Sequence, residues 1–353
     1  MMSNKTYPVL LCFLWTLFGV SKIAFTYNIY LSSYIDILTI VNFLFVFMGA
    51  GIIAFRLLSK PVSFNAQIFV FFVLLLLSLL NNSIFALIFN FLVWYSIAEI
   101  VPIKSFRFVY IINIGLLIGV FYISVKLNGD TYYFDLRYGD VKSFGFENIN
   151  SFPQLLIIFY LIFSTKIRHL FMLFLVYLLV FIDDIYTKSF YVILVIYPCL
   201  LLLFKYYRCR YLYLLPVMLF LGSILFVYMY ASNIPIAIKV DQIFSYRISF
   251  SNIILSSIPN LYYLFFGLSG GGDEQLPMDL SYMAIIFTFG LIPSLIIILM
   301  YTRTLKSLII KYDYGILALC TTFLLYAFVE NILISFILNP TFYYVFYYLN
   351  SKR

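Results

Sequence analysis

Two stretches of this chain concentrate side chains able to handle a charged substrate. The first, Lys126 to Pro153 (KLNGDTYYFDLRYGDVKSFGFENINSFP), holds Lys126, Asp130, Asp135, Arg137, Asp140, Lys142 and Glu147, a compact Phe144-Gly145-Phe146 turn, and Asn148 and Asn150. The second, from about Ala231 to Met278, contains Lys239, Asp241, Arg247, Asp273 and Glu274. Only 10% of the residues are charged, so such density marks where polar chemistry can take place. Arg137, Arg247 and Lys142 form a cationic set suited to phosphate, because the rigid guanidinium fork grips two phosphate oxygens at once. Arg137 and Lys142 could instead pair inside their own loop with Asp135, Asp140 and Glu147, and both readings stand. Glu147, Asp279 and Glu330 are carboxylates able to take a proton from a hydroxyl. Asp279 opens the apolar run MDLSYMAII, and Glu330, beside Asn331, closes another. A charge at membrane depth costs around 2.5–3.5 kcal/mol, so it usually faces a cavity; solvation at a helix end is the plainer alternative. Asp183-Asp184 reads mainly as a solvated turn.

Other chemistries lack their residues. The single histidine, His169, sits in a basic segment beside Arg168, so no Ser/His/Asp or Cys/His triad can be assembled at the charged loops. The four cysteines (Cys12, Cys199, Cys209, Cys320) show no CxxC spacing and lie outside both loops, which supports neither a disulfide framework nor a metal site. Asp36 stands alone in the first short polar connection, which disfavours a metal-dependent glycosyltransferase needing an acidic pair there. Gly270-Gly271-Gly272 reads as a hinge, since no GxxxxGK[ST] accompanies it.

The elements that must position these residues are apolar. Hydrophobic residues make up 65% of the 353 and aromatics 22%, with a mean hydropathy of +1.06. Soluble domains are roughly half apolar and about a quarter charged, so the fold class is an all-α polytopic membrane protein, read as one membrane domain over residues 1–353. A helix crossing a hydrocarbon core needs about 20 apolar residues. On that basis spans are expected near 8–26, 34–55, 65–80, 84–101, 107–125, 152–165, 168–182, 189–205, 210–230, 279–301 and 314–330, with a twelfth near 332–349 interrupted by Asn339-Pro340. The first is expected to be an uncleaved helix. The net charge of +8 falls in short clusters: Lys5; Arg56 and Lys60; Lys104 and Arg107; Lys166 and Arg168; Lys205, Arg208 and Arg210; Arg303, Lys306 and Lys311; Lys352 and Arg353. That pattern fits topology anchors better than nucleic-acid binding, and it places the N-terminus in the cytoplasm and the loops 126–151 and 231–278 outside. An interfacial or re-entrant helix suits the second loop.

Several segments resemble the polymerases of the Wzy type that build O-antigen and capsule. Lys142 to Pro153 (KSFGFENINSFP) is similar to their basic-x-x-G-F-x-x-x-N segment. Tyr186-Thr187-Lys188-Ser189 resembles a T-x-S-R-like helix start. Ser245-Tyr246-Arg247 resembles a G-R segment, with Tyr246 where the family has glycine. Leu264-Phe265-Phe266-Gly267, followed by Met278-Asp279-Leu280-Ser281-Tyr282, resembles an l-f-G … D-n-s-Y pattern. The related ligases use a histidine on the outer side, which this chain lacks. The resemblance implies a bacterial inner-membrane enzyme that transfers a glycan from undecaprenyl diphosphate onto the next lipid-linked repeat unit, with no metal or other cofactor. Arg137, Arg247 and Lys142 would hold the diphosphate and Glu147, Asp279 or Glu330 would be the base; Asn150 and Tyr282 join the substrate-binding set. The two outer loops would together form one positively charged mouth. The implied partners are the undecaprenyl-linked oligosaccharide and membrane lipids, with a chain-length regulator as a further candidate. The alternatives are a flippase for lipid-linked oligosaccharides, which usually shows repeated halves and charges within helices, and a non-catalytic scaffold.

Overall fold

A computed structural model describes residues 6–60, 66–135, 139–146, 148–181, 184–243, 245–258, 260–268 and 279–350. Apolar runs of this length bury no backbone polar group if they coil, and helix dominates accordingly. In chain order the helices are α1 (Thr6–Tyr27), α2 (Ile35–Ser59), α3 (Ala66–Ser78), α4 (Asn82–Ile100), α5 (Ile103–Asn128), α6 (Ser151–Phe163), α7 (Ile167–Phe181), α8 (Lys188–Tyr206), α9 (Leu215–Ala231), α10 (Pro235–Ile243), α11 (Arg247–Ser257), α12 (Leu261–Phe266), α13 (Ser281–Phe289), α14 (Leu291–Lys311), α15 (Tyr314–Ala327) and α16 (Thr341–Asn350). Among the described residues, α1, α2, α4, α5, α8, α14 and the continuous segment Arg210–Ala231 are long and apolar enough to cross a membrane, and α6, α7 and α15 are shorter apolar helices. The protein is an all-α polytopic membrane protein.

The chain divides into two compact units, Met1–Pro61 with Val93–Leu203, and Val62–Leu92 with Phe204–Arg353. In the first, Trp15 of α1 stacks on Phe45 of α2 (centroids 5.3 Å) and meets Trp94 of α4 edge-on at 5.1 Å. Arg56, counted among the loop anchors, is instead buried. Its Nε donates to Glu99 Oε2 at 2.6 Å and its Nη2 to the Tyr95 hydroxyl at 3.1 Å, an ion pair joining α2 to α4. After α5 the chain forms a hairpin that hydropathy did not foreshadow, β1 (Tyr132–Asp135) against β2 (Gly139–Lys142), with Tyr132 opposite Lys142 and Asp135 opposite Gly139. The Phe144-Gly145-Phe146 turn then tucks in: Phe146 stacks on Phe121 of α5 at 3.6 Å and Phe144 on Phe152 of α6 at 4.2 Å. The turn is held from outside by the Gly145 carbonyl, which accepts from Ile29 N at 2.9 Å.

The second unit departs from the expected spans in two places. The run expected to cross at 279–301 is broken at Gly290, and α14 continues to Lys311. Arg303 and Lys306 therefore lie within a helix, and the turn to α15 shrinks to Tyr312 and Asp313. The reason lies in the backbone: Gly290 has φ +89°, and an added Cβ there would collide with the Phe265 carbonyl. Gly267, at φ +82°, meets the same crossing, where a Cβ would lie 2.5 Å from the Thr288 oxygen and 2.6 Å from Asn81 Nδ2. Asn81 clamps the joint by donating to the Phe266 and Thr288 carbonyls at 2.8 and 2.9 Å. Only glycine tolerates both the left-handed conformation and the contact.

The second departure is the twelfth span. In place of a helix over 332–349, residues 328–340 form partly buried turns and α16 starts only after Pro340. Irregular backbone at membrane depth is tolerated only where protein satisfies its polar groups. Here Ser281 Oγ accepts from Ile332 N at 2.8 Å and Leu333 N at 3.2 Å while donating to the Glu330 carbonyl. Asn339 accepts from Thr341 N and donates to the Tyr301 hydroxyl, both at 3.2 Å. Where one interfacial or re-entrant helix was expected in the second loop, the described residues form three short helices, α10, α11 and α12.

Candidate functional site

Arg247 is the first residue of α11, and its position follows from how that helix starts. Ser245 and Tyr246 both take left-handed conformations (φ +57° and +66°), which turns the chain sharply after α10. The buried Asp241 carboxylate then caps the new helix, its Oδ1 accepting from Ile248 N at 2.8 Å and Ser249 N at 3.1 Å. A carboxylate on the exposed N–H groups of a helix start is favourable by both hydrogen bonding and dipole. Tyr246 thus stands in a left-handed position of the kind glycine occupies without strain, the residue the resembling segment has there.

The turn carries the Arg247 side chain inward between two carboxylates. Nη2 donates to Glu330 Oε1 at 2.6 Å, and Nε donates to Asp279 Oδ2 at 3.3 Å. The side chains of Arg247 and Glu330 are 7% and 0% exposed, whereas that of Asp279 is 17% exposed. Glu330 comes from the irregular segment after α15, and its backbone is pinned by Ser281; Asp279 lies two residues ahead of α13. Burial by itself would lower the Arg247 pKa, but the charges of Glu330 and Asp279 and their hydrogen bonds outweigh it and hold the guanidinium above its ordinary value. One guanidinium thus serves two carboxyl groups. Tyr326, whose carbonyl accepts from Glu330 N at 2.9 Å, has a buried hydroxyl with no hydrogen-bond partner among the described residues. A hydroxyl left unpaired in the interior costs on the order of 1–3 kcal/mol. Asn331 Oδ1 is likewise buried without a partner.

Tyr282, expected at the substrate, is fully buried on α13, and its hydroxyl donates to the Leu324 carbonyl of α15 at 3.0 Å. That contact spends the hydroxyl on joining two helices beneath the cluster.

The remaining candidates lie in the other unit. The described partners of Lys142 lie elsewhere than Asp140: its Nζ bridges Asp130 Oδ1 at 3.1 Å and Asp184 Oδ1 at 3.4 Å and lies 5.4 Å from the centre of the Phe144 ring. Partial burial works against its charge, but the Asp130 and Asp184 contacts raise its pKa overall, so it stays protonated through the neutral range. Asn150, at the start of α6, accepts from the Thr187 hydroxyl at 3.1 Å and so ties that helix to the segment leading into α8. Two stretches noted for their motifs, 142–153 and 186–189, therefore meet through this bond. Arg137 and Glu147 lie outside the described residues. Reasoning from sequence named Asp241 and Ser281 without giving them a role, and passed over Asn81 and Tyr326. Asp241 was legible as a carboxylate six residues before Arg247, and Gly290 as a Gly-x-x-Pro break inside an apolar run; Tyr326 carried no signal.

Among the described residues no group of three or more His, Cys, Asp and Glu side chains could hold a metal ion. Comparison of the chain with family models, with curated proteins and with solved structures finds no match.

Proposed function

We propose that the protein is a bacterial inner-membrane polymerase that moves a glycan from undecaprenyl diphosphate onto the next lipid-linked repeat unit, with its N-terminus in the cytoplasm and the loops 126–151 and 231–278 outside. The observation that carries this reading is convergence. Arg247, Asp279 and Glu330 were singled out separately, in three segments spread over 84 positions, and they form one ion cluster, buried at Arg247 and Glu330. Keeping a guanidinium and two carboxylates inside an apolar protein is expensive, and such residues in membrane proteins mark sites of function. The motif-like residues around them support the cluster: Gly267 permits the crossing at Gly290, Ser281 pins the Glu330 backbone, and Tyr246 forms the turn before Arg247. The activated donor supplies the energy. Glycosyl transfer then needs an oriented acceptor hydroxyl, a base, and groups that stabilise the departing diphosphate.

A lipid-linked oligosaccharide transporter is the second reading. It is favoured by the two interrupted segments, at Gly290 and at residues 328–340, because discontinuous helices often build transport sites. Deleting the gene and separating the cell-surface glycan on a gel distinguishes the two. Loss of a polymerase leaves single repeat units on the surface, loss of a transporter removes even those, and an unchanged ladder contradicts both readings.

A further inference from the structure

We infer that the Arg247–Asp279–Glu330 cluster is the acceptor subsite of the proposed polymerase, holding a sugar hydroxyl with Asp279 as the base, and does not grip the diphosphate. The inference rests on the polymerase reading and narrows it. Two of the three guanidinium nitrogens of Arg247 are already occupied by carboxylates, and two carboxyl groups share the one guanidinium. A diphosphate would have to displace a carboxylate and approach the other against like charge. A neutral polyhydroxyl compound meets no such opposition, and hydroxyls are the groups that can donate to a carboxylate and accept from a buried phenol.

The two carboxylates are not equivalent. Glu330 is fully buried, bound to Arg247 at 2.6 Å, and its backbone is locked by Ser281. Asp279 is partly exposed and its contact with Arg247 is the longer one, 3.3 Å. It alone of the pair is open to a ligand. The second observation pointing to a ligand is Tyr326: a fully buried hydroxyl with no partner among the described residues, on the residue whose carbonyl accepts from Glu330 N at 2.9 Å. A sugar oxygen between Asp279 and Tyr326 would satisfy it. In the reaction, the acceptor hydroxyl gives its proton to the Asp279 carboxylate as its oxygen bonds to the anomeric carbon of the donor. The anomeric carbon–oxygen bond to the diphosphate breaks, and that electron pair leaves on the lipid diphosphate. Arg247 keeps the Asp279 carboxylate oriented before transfer.

The test uses the full chain in proteoliposomes supplied with its lipid-linked repeat unit. Asp279→Asn, nearly isosteric, is expected to lower kcat by about 10²–10⁴-fold while leaving the KM for the lipid-linked donor within about threefold. Asp279→Ala is expected to regain at least about tenfold in rate when formate is added as a substitute carboxylate. A labelling arm on the unaltered protein is independent of how the variants fold. Carbodiimide modification of Asp279, read by mass spectrometry, should be slowed by the free repeat-unit oligosaccharide and not by inorganic pyrophosphate. Protection by pyrophosphate, or by neither compound, would overturn the assignment. So would an Asp279→Asn protein that keeps more than a tenth of the rate, or one that loses donor affinity at unchanged kcat. If the unaltered protein forms no polymer, the polymerase reading itself falls. If it polymerises and Asp279→Asn matches it, only the acceptor assignment falls.

Discussion

Glu330 is a carboxylate with no exposed surface, and one guanidinium hydrogen bond at 2.6 Å faces its Oε1. Breaking a buried pair by removing one partner costs about 3–5 kcal/mol, whereas replacing both with apolar groups is often neutral. Arg247→Met is therefore expected to lower thermal stability by about that amount, and Arg247→Met with Glu330→Leu to recover most of it, as measured by thermal unfolding in detergent. A single variant as stable as the parent would mean that Glu330 does not depend on Arg247. At this scale the charged residues were easy to see and their partners were not. In a chain with so few charges, Arg247, Asp279 and Glu330 stand out by type alone. Nothing in the sequence says that an arginine will reach a carboxylate 83 positions later, or that Lys142 will join Asp130 of its own loop to Asp184, 42 positions on. Short-range spacing predicts local partners, and these are tertiary.

The helices themselves follow from hydropathy, since a long apolar run in a membrane can satisfy its backbone only by coiling. The interruptions do not, because hydropathy averages over a window and is blind to one left-handed glycine. Gly290 splits an apparently continuous span, and Asn339-Pro340 marked an interruption of the last one without showing that all of 328–340 would leave the helix. The crossing of Gly267 with Gly290 gives a sharp prediction. Gly290→Ala and Gly267→Ala each combine strain at positive φ with a backbone collision, and each should cost at least about 2 kcal/mol, with reduced yield of folded protein. Gly119→Ala in α5, where an added Cβ meets nothing within 4 Å, should be neutral or gain up to about 1 kcal/mol from helix propensity. Thermal unfolding of the three variants side by side checks this, and equal stability in all three would remove the crossing as a constraint.

At the scale of the whole molecule, membrane character was evident from composition alone, while the division into two compact units was not, because apolar spans look alike whichever unit they join. The proposed function is also a claim about the whole chain, since a polymerase and a transporter handle the same lipid-linked substrate and differ in whether a bond is made. The most direct measurement reconstitutes the purified protein in proteoliposomes with its lipid-linked repeat unit and counts glycan length and free undecaprenyl diphosphate together. A polymerase releases one lipid diphosphate for every repeat unit added, with chains growing beyond a single unit. Repeat units that cross the bilayer at their original length, with no lipid diphosphate released, would contradict the proposal.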